Sequence, residues 1–276
     1  MDYKIRKIVI EKRDKLSLVD WSEIIVYKDL LYFLSIRSIK ARYAQSILGI
    51  GWAVLQPLFT IVVFTVVFGG LAKIGSDGIP YSLFSFSGLV AWNYFSASLS
   101  DSSGILQSNS NMITKVYFPR LILPLSSLIS KGIELFIGII VLALMMIFYS
   151  HPPSQQIIYF PVILVLLFIA TFGPSMLLSA WSLQYRDIKY ALSFIVQILM
   201  YAAPVVYPLS SVPIDYRFIC SINPMVGIVE GFRASVLGTQ GMPWAELGVG
   251  TITSLLLFVY SLYVFSKLER TFADVV

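Results

Sequence analysis

Arg37, Lys40 and Arg42 place three cations on one short stretch, immediately ahead of a long run without charge. Such a group at a bilayer surface binds anionic oxygen, with about 1 kcal/mol of attraction per cation near acidic headgroups. Bulk anionic lipid and a phosphorylated lipid carrier are both open as its ligand. Lys131 and Glu134, and again Glu230 and Arg233, stand at i and i+3, a spacing that brings side chains together on one helical face. An unpaired charge at a helix centre costs about 2.5–3.5 kcal/mol in lipid, so both couples are read first as internal pairs. For Glu230 and Arg233 the alternatives are pinning a short helix or sealing an exit. Other chemistry is scarce. Cys220 and His151 are each alone of their type, which leaves no disulfide within the chain and no thiolate cluster for a metal. No G-x-x-x-x-G-K-[ST] loop occurs, so this chain lacks that cradle for ATP phosphates.

The elements that position these charges are helices in lipid. Hydrophobic residues make up 57% of the 276 positions and charged residues only 13%, against about a quarter charged in soluble chains. A helix needs about 20 apolar residues to cross a bilayer, and six segments qualify: residues 47–71, 81–100, 121–149, 157–183, 190–207 and 247–266. The safest core of the third is 133–149. Residues 102–120, rich in Ser and Asn, are too polar to cross. Between the fifth and sixth segments, residues 208–246 are apolar but broken at Asn223-Pro224 and at Gly238. Neither half, 218–222 or 225–237, is long enough to span. A re-entrant helical hairpin, tolerated where protein covers its broken backbone, is the expectation; a seventh span is the alternative.

Orientation follows from the basic residues. With a cytoplasmic amino terminus, that side receives ten Lys and Arg up to Arg42, then Lys115, Arg120, Arg186, Lys189, Lys267 and Arg270. The outer side receives Lys73, Arg217 and Arg233. This satisfies the positive-inside rule, and six spans return the carboxyl terminus to the cytoplasm. A seventh would put Lys267 and Arg270 outside. Residues 1–15 are basic and lack the apolar core of a cleavable signal, so insertion is expected to run through the chain's own spans.

Ahead of the first span, residues 21–36 have helical period. Ile24, Tyr27, Leu31 and Leu34 form one apolar stripe. Such a helix lies in the interface plane with its polar side facing the cytoplasm. It is expected either to anchor the chain or to dock a partner that pushes on the first span.

The run Arg37-Ser38-Ile39-Lys40-Ala41-Arg42-Tyr43-Ala44-Gln45-Ser46-Ile47-Leu48-Gly49, followed by Trp52 and Gln56-Pro57, resembles the signature of the ABC-2 polysaccharide-export permeases. These are the membrane subunits that export O-antigen, capsule or teichoic acid chains. Tyr185-Arg186-Asp187-Ile188 resembles the family's short cytoplasmic turn. Asn223-Pro224-Met225 with Phe232-Arg233 resembles its outer re-entrant hairpin, and residues 115–119 lie where such permeases place a coupling helix. Ser38 and Ala44 depart from the acid and the lysine expected at those positions. The likeness runs from about Tyr27 to the sixth span.

The resemblance implies an all-α membrane protein of six spans in the inner (plasma) membrane. It divides into a cytoplasmic interface segment (1–42), one permease domain (43–266) and a cytoplasmic tail (267–276). It implies that the chain pairs with a second copy of itself and with a pair of separate ATP-binding cassette subunits that hold ATP and Mg. Lys28, Asp29, Lys115, Tyr117 and Arg120 are expected to couple to those subunits. No cofactor in this chain, no nucleic acid and no catalysis are expected. The cargo is a lipid-linked polysaccharide, whose phosphates would meet Arg37, Lys40 and Arg42. Its sugars would pass aromatic rings at Trp52, Phe59, Tyr81, Phe84, Trp92, Tyr94, Phe95, Tyr201 and Tyr207, since flat rings with polar edges suit sugar faces. Interfacial belts or lipid-facing positions are the competing account of those rings. Two rival functions stand beside this one. A secondary transporter or channel would need deep coupling acids, and only Glu134 qualifies. A membrane glycosyltransferase or polymerase would need clustered acids or bases, whereas Asp215, Arg217, Glu230 and Arg233 are sparse.

Overall fold

The computed structural model describes residues 21–44, 46–185, 187–238, 240–270 and 272. The basic stretch 1–15, Gln45 and Arg186 of the quoted motifs, and residues 273–276 of the tail lie outside the described residues. All regular structure among the described residues is helical.

Two pieces precede the first long helix: α1 (Trp21–Val26) and α2 (Lys28–Tyr43). The helix expected over 21–36 is therefore interrupted at Tyr27 and runs on through Arg37, Lys40 and Arg42. Next come α3 (Trp52–Phe64), which continues as a π-helical stretch over Thr65–Leu71, and α4 (Tyr81–Ser108). These are followed by α5 (Ser110–Lys115), α6 (Ile122–Phe148), α7 (Phe160–Gln184), α8 (Ile188–Ala202), α9 (Ile214–Ser221), α10 (Pro224–Leu237) and α11 (Trp244–Glu269).

Four helical stretches are long and apolar enough to cross a membrane: Trp52–Leu71, Ile122–Phe148, Gln155–Gln184 and Trp244–Glu269. The second and fifth expected spans behave differently. At about 1.5 Å per residue α4 is long enough, but it is rich in serine and sits at the centre of the bundle. It packs against α6, α7, α8 and α10 and buries Ser85, Ser87, Ser98 and Ser102 among its apolar residues. Helix α8 has 15 residues, about 22 Å by the same rise. The expected span over 190–207 thus ends early, at Ala202.

The broken segment before α11 follows the local backbone rules. Asn223 Oδ1 accepts from the Met225 N–H at 3.1 Å and caps α10, with Pro224 at its first helical position. Gly238 closes α10 at φ +67, the left-handed conformation that favours glycine. Every side chain from Met225 to Leu237 is buried.

Two hydrophobic clusters divide the bundle. The larger joins α4, α6, α7 and α10. The smaller gathers Ile24 and Leu34 with Phe118, Ile122, Met176, Phe265 and Phe272, so both described ends of the chain lie at one end of the bundle, called here the terminal end. The short helices α9 and α10, in contact with each other, lie at the other. The stripe of Ile24, Tyr27, Leu31 and Leu34 faces this second cluster, which corrects the expectation that it faces lipid. The protein's own helices offer it apolar surface first, and Ile25, Tyr32 and Phe33, more than 60% exposed, point outward instead.

Candidate functional site

A cavity of about 910 Å³ opens between α3 on one side and α4 and α6 on the other. Its walls carry Trp52, Gln56, Phe59 and Thr60 from α3, and Phe86, Asn93 and Tyr94 from α4. Arg42, Tyr43, Lys131 and Glu134 close its terminal end. Aromatic faces interleaved with amide and hydroxyl groups suit a ligand that is flat and polar at once.

The charges at that end form one cluster. The Arg42 guanidinium bonds to the carboxylates of Asp101 and Glu134, and Lys131 Nζ lies 3.4 Å from Asp101 Oδ2 and 3.3 Å from Glu134 Oε1. Two cations and two anions balance. Burial works against the charged form of Arg42, but Asp101 and Glu134 outweigh it and hold its pKa above the ordinary guanidinium value. Lys131 and Glu134 are paired, as their spacing implied. Asp101, a mere span end in the sequence, is the partner that reading missed; its only signal was a lone acid one turn beyond a cavity-lining face. Arg37 and Lys40 remain exposed on α2.

The nine rings separate by whether they line the cavity. Trp52, Phe59 and Tyr94 line the cavity, and Phe86 joins them unpredicted. Phe84, Trp92 and Phe95 are packed inside the bundle and do not line the cavity. Tyr81 is buried and donates from Oη to the Val206 carbonyl at 2.7 Å. Tyr207 Oη donates to the Tyr201 carbonyl at 3.1 Å, and Tyr201 is exposed on α8.

The two stretches expected to meet a motor are brought together. Tyr27 Oη donates to the Tyr117 carbonyl at 3.4 Å, and Tyr117 Oη donates to Glu23 Oε1 at 3.0 Å. Arg120 donates from its backbone N–H to Glu269 Oε1 at 3.1 Å and from Nη1 to the Glu269 carbonyl at 2.7 Å. Lys28, Asp29, Lys115 and Tyr117 stay exposed on the resulting surface.

At the end that holds α9 and α10, Arg233 is fully buried. Its guanidinium donates to the carbonyls of Phe84, Pro204 and Val205 and to Glu230 Oε1, and stacks 3.7 Å above the Phe84 ring. Glu230 Oε1 also accepts from the Leu209 N–H at 2.9 Å. The pair fastens the irregular segment 203–209 to α4 and α10.

A helical bundle with lipid-length apolar helices, a cavity lined by aromatic and polar side chains, and no G-x-x-x-x-G-K-[ST] loop in its sequence has the form of a membrane transport subunit. The chain belongs to the ABC-2 type transporter family, whose model matches residues 29–237. An O-antigen export system permease protein RfbA from Klebsiella pneumoniae is 28% identical over 249 residues, covering 90% of this chain and 95% of that protein. The Myxococcus xanthus protein of the same name is 26% identical, covering 91% and 97%. The polysialic acid transport protein KpsM of Escherichia coli is 21% identical, covering 84% and 92%.

Proposed function

We propose that this chain is the membrane-spanning subunit of an ATP-driven exporter that moves a lipid-linked, O-antigen-like polysaccharide from the cytoplasmic to the outer face of the inner membrane. The observation that carries this reading is likeness along nearly the whole chain to proteins named for O-antigen export. In this reading α3, α4, α6, α7, α8 and α11 cross the membrane, and α9 with α10 forms a re-entrant hairpin on the outer side. Residues 1–42 and 267–276 are cytoplasmic, flanking one permease domain over 43–266. The location of both described chain ends at one end of the bundle favours an even number of crossings.

Two copies enclose the path, because α3 buries little of itself in one chain and presents Phe59, Val62, Val63 and Val66 outward. A separate pair of ATP-binding subunits, holding ATP and Mg, docks on Lys28, Asp29, Lys115, Tyr117 and Arg120. Arg37, Lys40 and Arg42 meet the phosphates of the lipid carrier, and Trp52, Phe59 and Tyr94 the sugars. The chain performs no bond chemistry. Against ion-driven transport stands the engagement of Glu134 by Arg42 and Lys131.

Deleting the gene in its host tests the reading. Surface polysaccharide should disappear and lipid-linked polymer accumulate inside, with both effects reversed by the intact chain. Unchanged surface polysaccharide would rule the function out.

A further inference from the structure

Arg42 has a geometry that neither the family assignment nor the cavity requires. It stands at the far end of α2 from the motor-facing surface, and its guanidinium reaches carboxylates on two other helices, Asp101 on α4 and Glu134 on α6. The α3 wall of the cavity has little else to hold it, since Ile61 is the one buried residue of that helix. Helix α2 packs along α6 and measures about 24 Å at 1.5 Å per residue. It runs as a rod from Tyr27, bonded to the Tyr117 loop, to Arg42 at the cavity's terminal end.

We infer that Arg42 is a releasable latch, a positioning residue that holds the α2–α3 side against α4 and α6 and closes the cavity at its terminal end. Lys131 makes the release reversible. Its ammonium already lies within 3.4 Å of Asp101 and 3.3 Å of Glu134, so both carboxylates keep a cation when Arg42 departs. Removing a partner from a charge pair is costly chiefly because it strands the other charge, and here Lys131 still serves both acids, so one negative charge is left shared between two carboxylates and neither acid is without a cation. The four side chains sum to zero charge while the latch is closed, so the cluster itself adds no attraction for an anion to that of Arg37 and Lys40. Once Arg42 leaves, it joins the exposed Arg37 and Lys40 on α2, and the anion-binding face is complete. A push on α1 and the Tyr117 loop, delivered along α2, is the motion that opens it. This last step rests on the exporter reading; the closed latch does not.

The test uses the full chain assembled with its ATP-binding subunits in liposomes, free of polysaccharide. Cys220, the chain's sole cysteine, is changed to Ser, and Ala97→Cys places a thiol on the α4 wall of the cavity, where the parent side chain is half-buried. A bulky, water-soluble maleimide reports access from the terminal end. Without ATP, Arg42→Ala should be labelled about threefold to thirtyfold faster than the parent, the range that two half-exposed ion pairs can hold back. Arg42→Lys should fall between them. ATP should accelerate the parent but add little to Arg42→Ala. Labelling of Arg42→Ala at the parent's rate overturns the latch. If Arg42→Ala does not assemble, Arg42→Gln, which keeps a polar side chain and removes the charge, decides in the same way. Loss of surface polysaccharide on deleting the gene, with Arg42 untouched, reports on the exporter reading alone, so the two failures are distinct.

Discussion

Arg233 Nη1 donates to Glu230 Oε1 at 3.0 Å from one turn further along α10, and both side chains are buried. The pair does more than neutralise itself. Three carbonyls, those of Phe84, Pro204 and Val205, take three further guanidinium donors, and the acid accepts from the Leu209 N–H. Chain that does not continue as helix after α8 thereby gains partners for the Pro204 and Val205 carbonyls and the Leu209 N–H. Arg233→Ala strands Glu230 and those carbonyls. It should cost about 3–5 kcal/mol, the penalty of removing one partner of a buried pair. The check is thermal unfolding of the detergent-purified chain, and Arg233→Lys should rescue little because an ammonium lacks the planar fork. Gly88→Ala should mimic the loss, since a Cβ there lies 2.4 Å from Arg233 Nη2 and 3.0 Å from the Val205 carbonyl.

Rings on one side of the cavity and rings within the bundle should respond to alanine in opposite ways. Trp52 is 44% exposed and Trp92 only 2%. Trp52→Ala should lower polysaccharide export at unchanged protein level and melting temperature. Trp92→Ala should destabilise by about 3–5 kcal/mol, the cost of emptying an aromatic site in a core, with export falling only as folded protein falls. Quantifying surface polysaccharide per folded permease separates the two. Equal per-molecule export in Trp52→Ala and the parent would remove Trp52 from the path.

The same contrast explains what could be read from the sequence. The break at Asn223-Pro224 and the stop at Gly238 were legible because capping and left-handed backbone are local demands of residue type. The stripe of Ile24, Tyr27, Leu31 and Leu34 was legible as a stripe, but periodicity does not say what an apolar face meets, and it met protein. Residues 203–207 are as apolar as the helix before them, yet α8 stops. Pro204 brings no N–H, and its carbonyl and that of Val205 are turned to Arg233. The polar interval expected from residue 102 is instead the last two turns of α4, because Ser102 and Ser103 are buried within the bundle. The charge cluster was beyond reach: Arg42 finds Asp101 59 positions away and Glu134 92 positions away.

Tyr117 should link the surface proposed to dock the ATP-binding subunits to α1. Its hydroxyl donates to Glu23, and its carbonyl accepts from Tyr27. Tyr117→Phe removes one hydrogen bond, worth about 0.5–1.5 kcal/mol, and should leave the chain folded with a modest loss of ATPase-subunit binding. Tyr117→Ala also removes the ring and should lose most of it. Co-purification of the ATP-binding subunits with a tagged permease measures both. Full recovery with Tyr117→Ala would move the docking surface elsewhere.

At the hairpin end Asp77 clasps the loop between α3 and α4 onto both sides of the hairpin. Its Oδ1 accepts from Ser210 Oγ at 2.9 Å and its Oδ2 from Gln240 Nε2 at 3.0 Å. The residue sits at φ +51, a conformation that Asn and Gly accept and that costs most other residues about 1–2 kcal/mol. Three substitutions separate the two effects. Asp77→Asn keeps the backbone and one good acceptor, Asp77→Gly keeps only the backbone, and Asp77→Ala keeps neither. Amide exchange across residues 72–80 and 208–213 should therefore quicken least in Asn, more in Gly and most in Ala. Exchange in Asp77→Gly indistinguishable from the parent would show that the hydrogen bonds do not hold the loop. A difference confined to Ala would reduce Asp77 to a backbone preference.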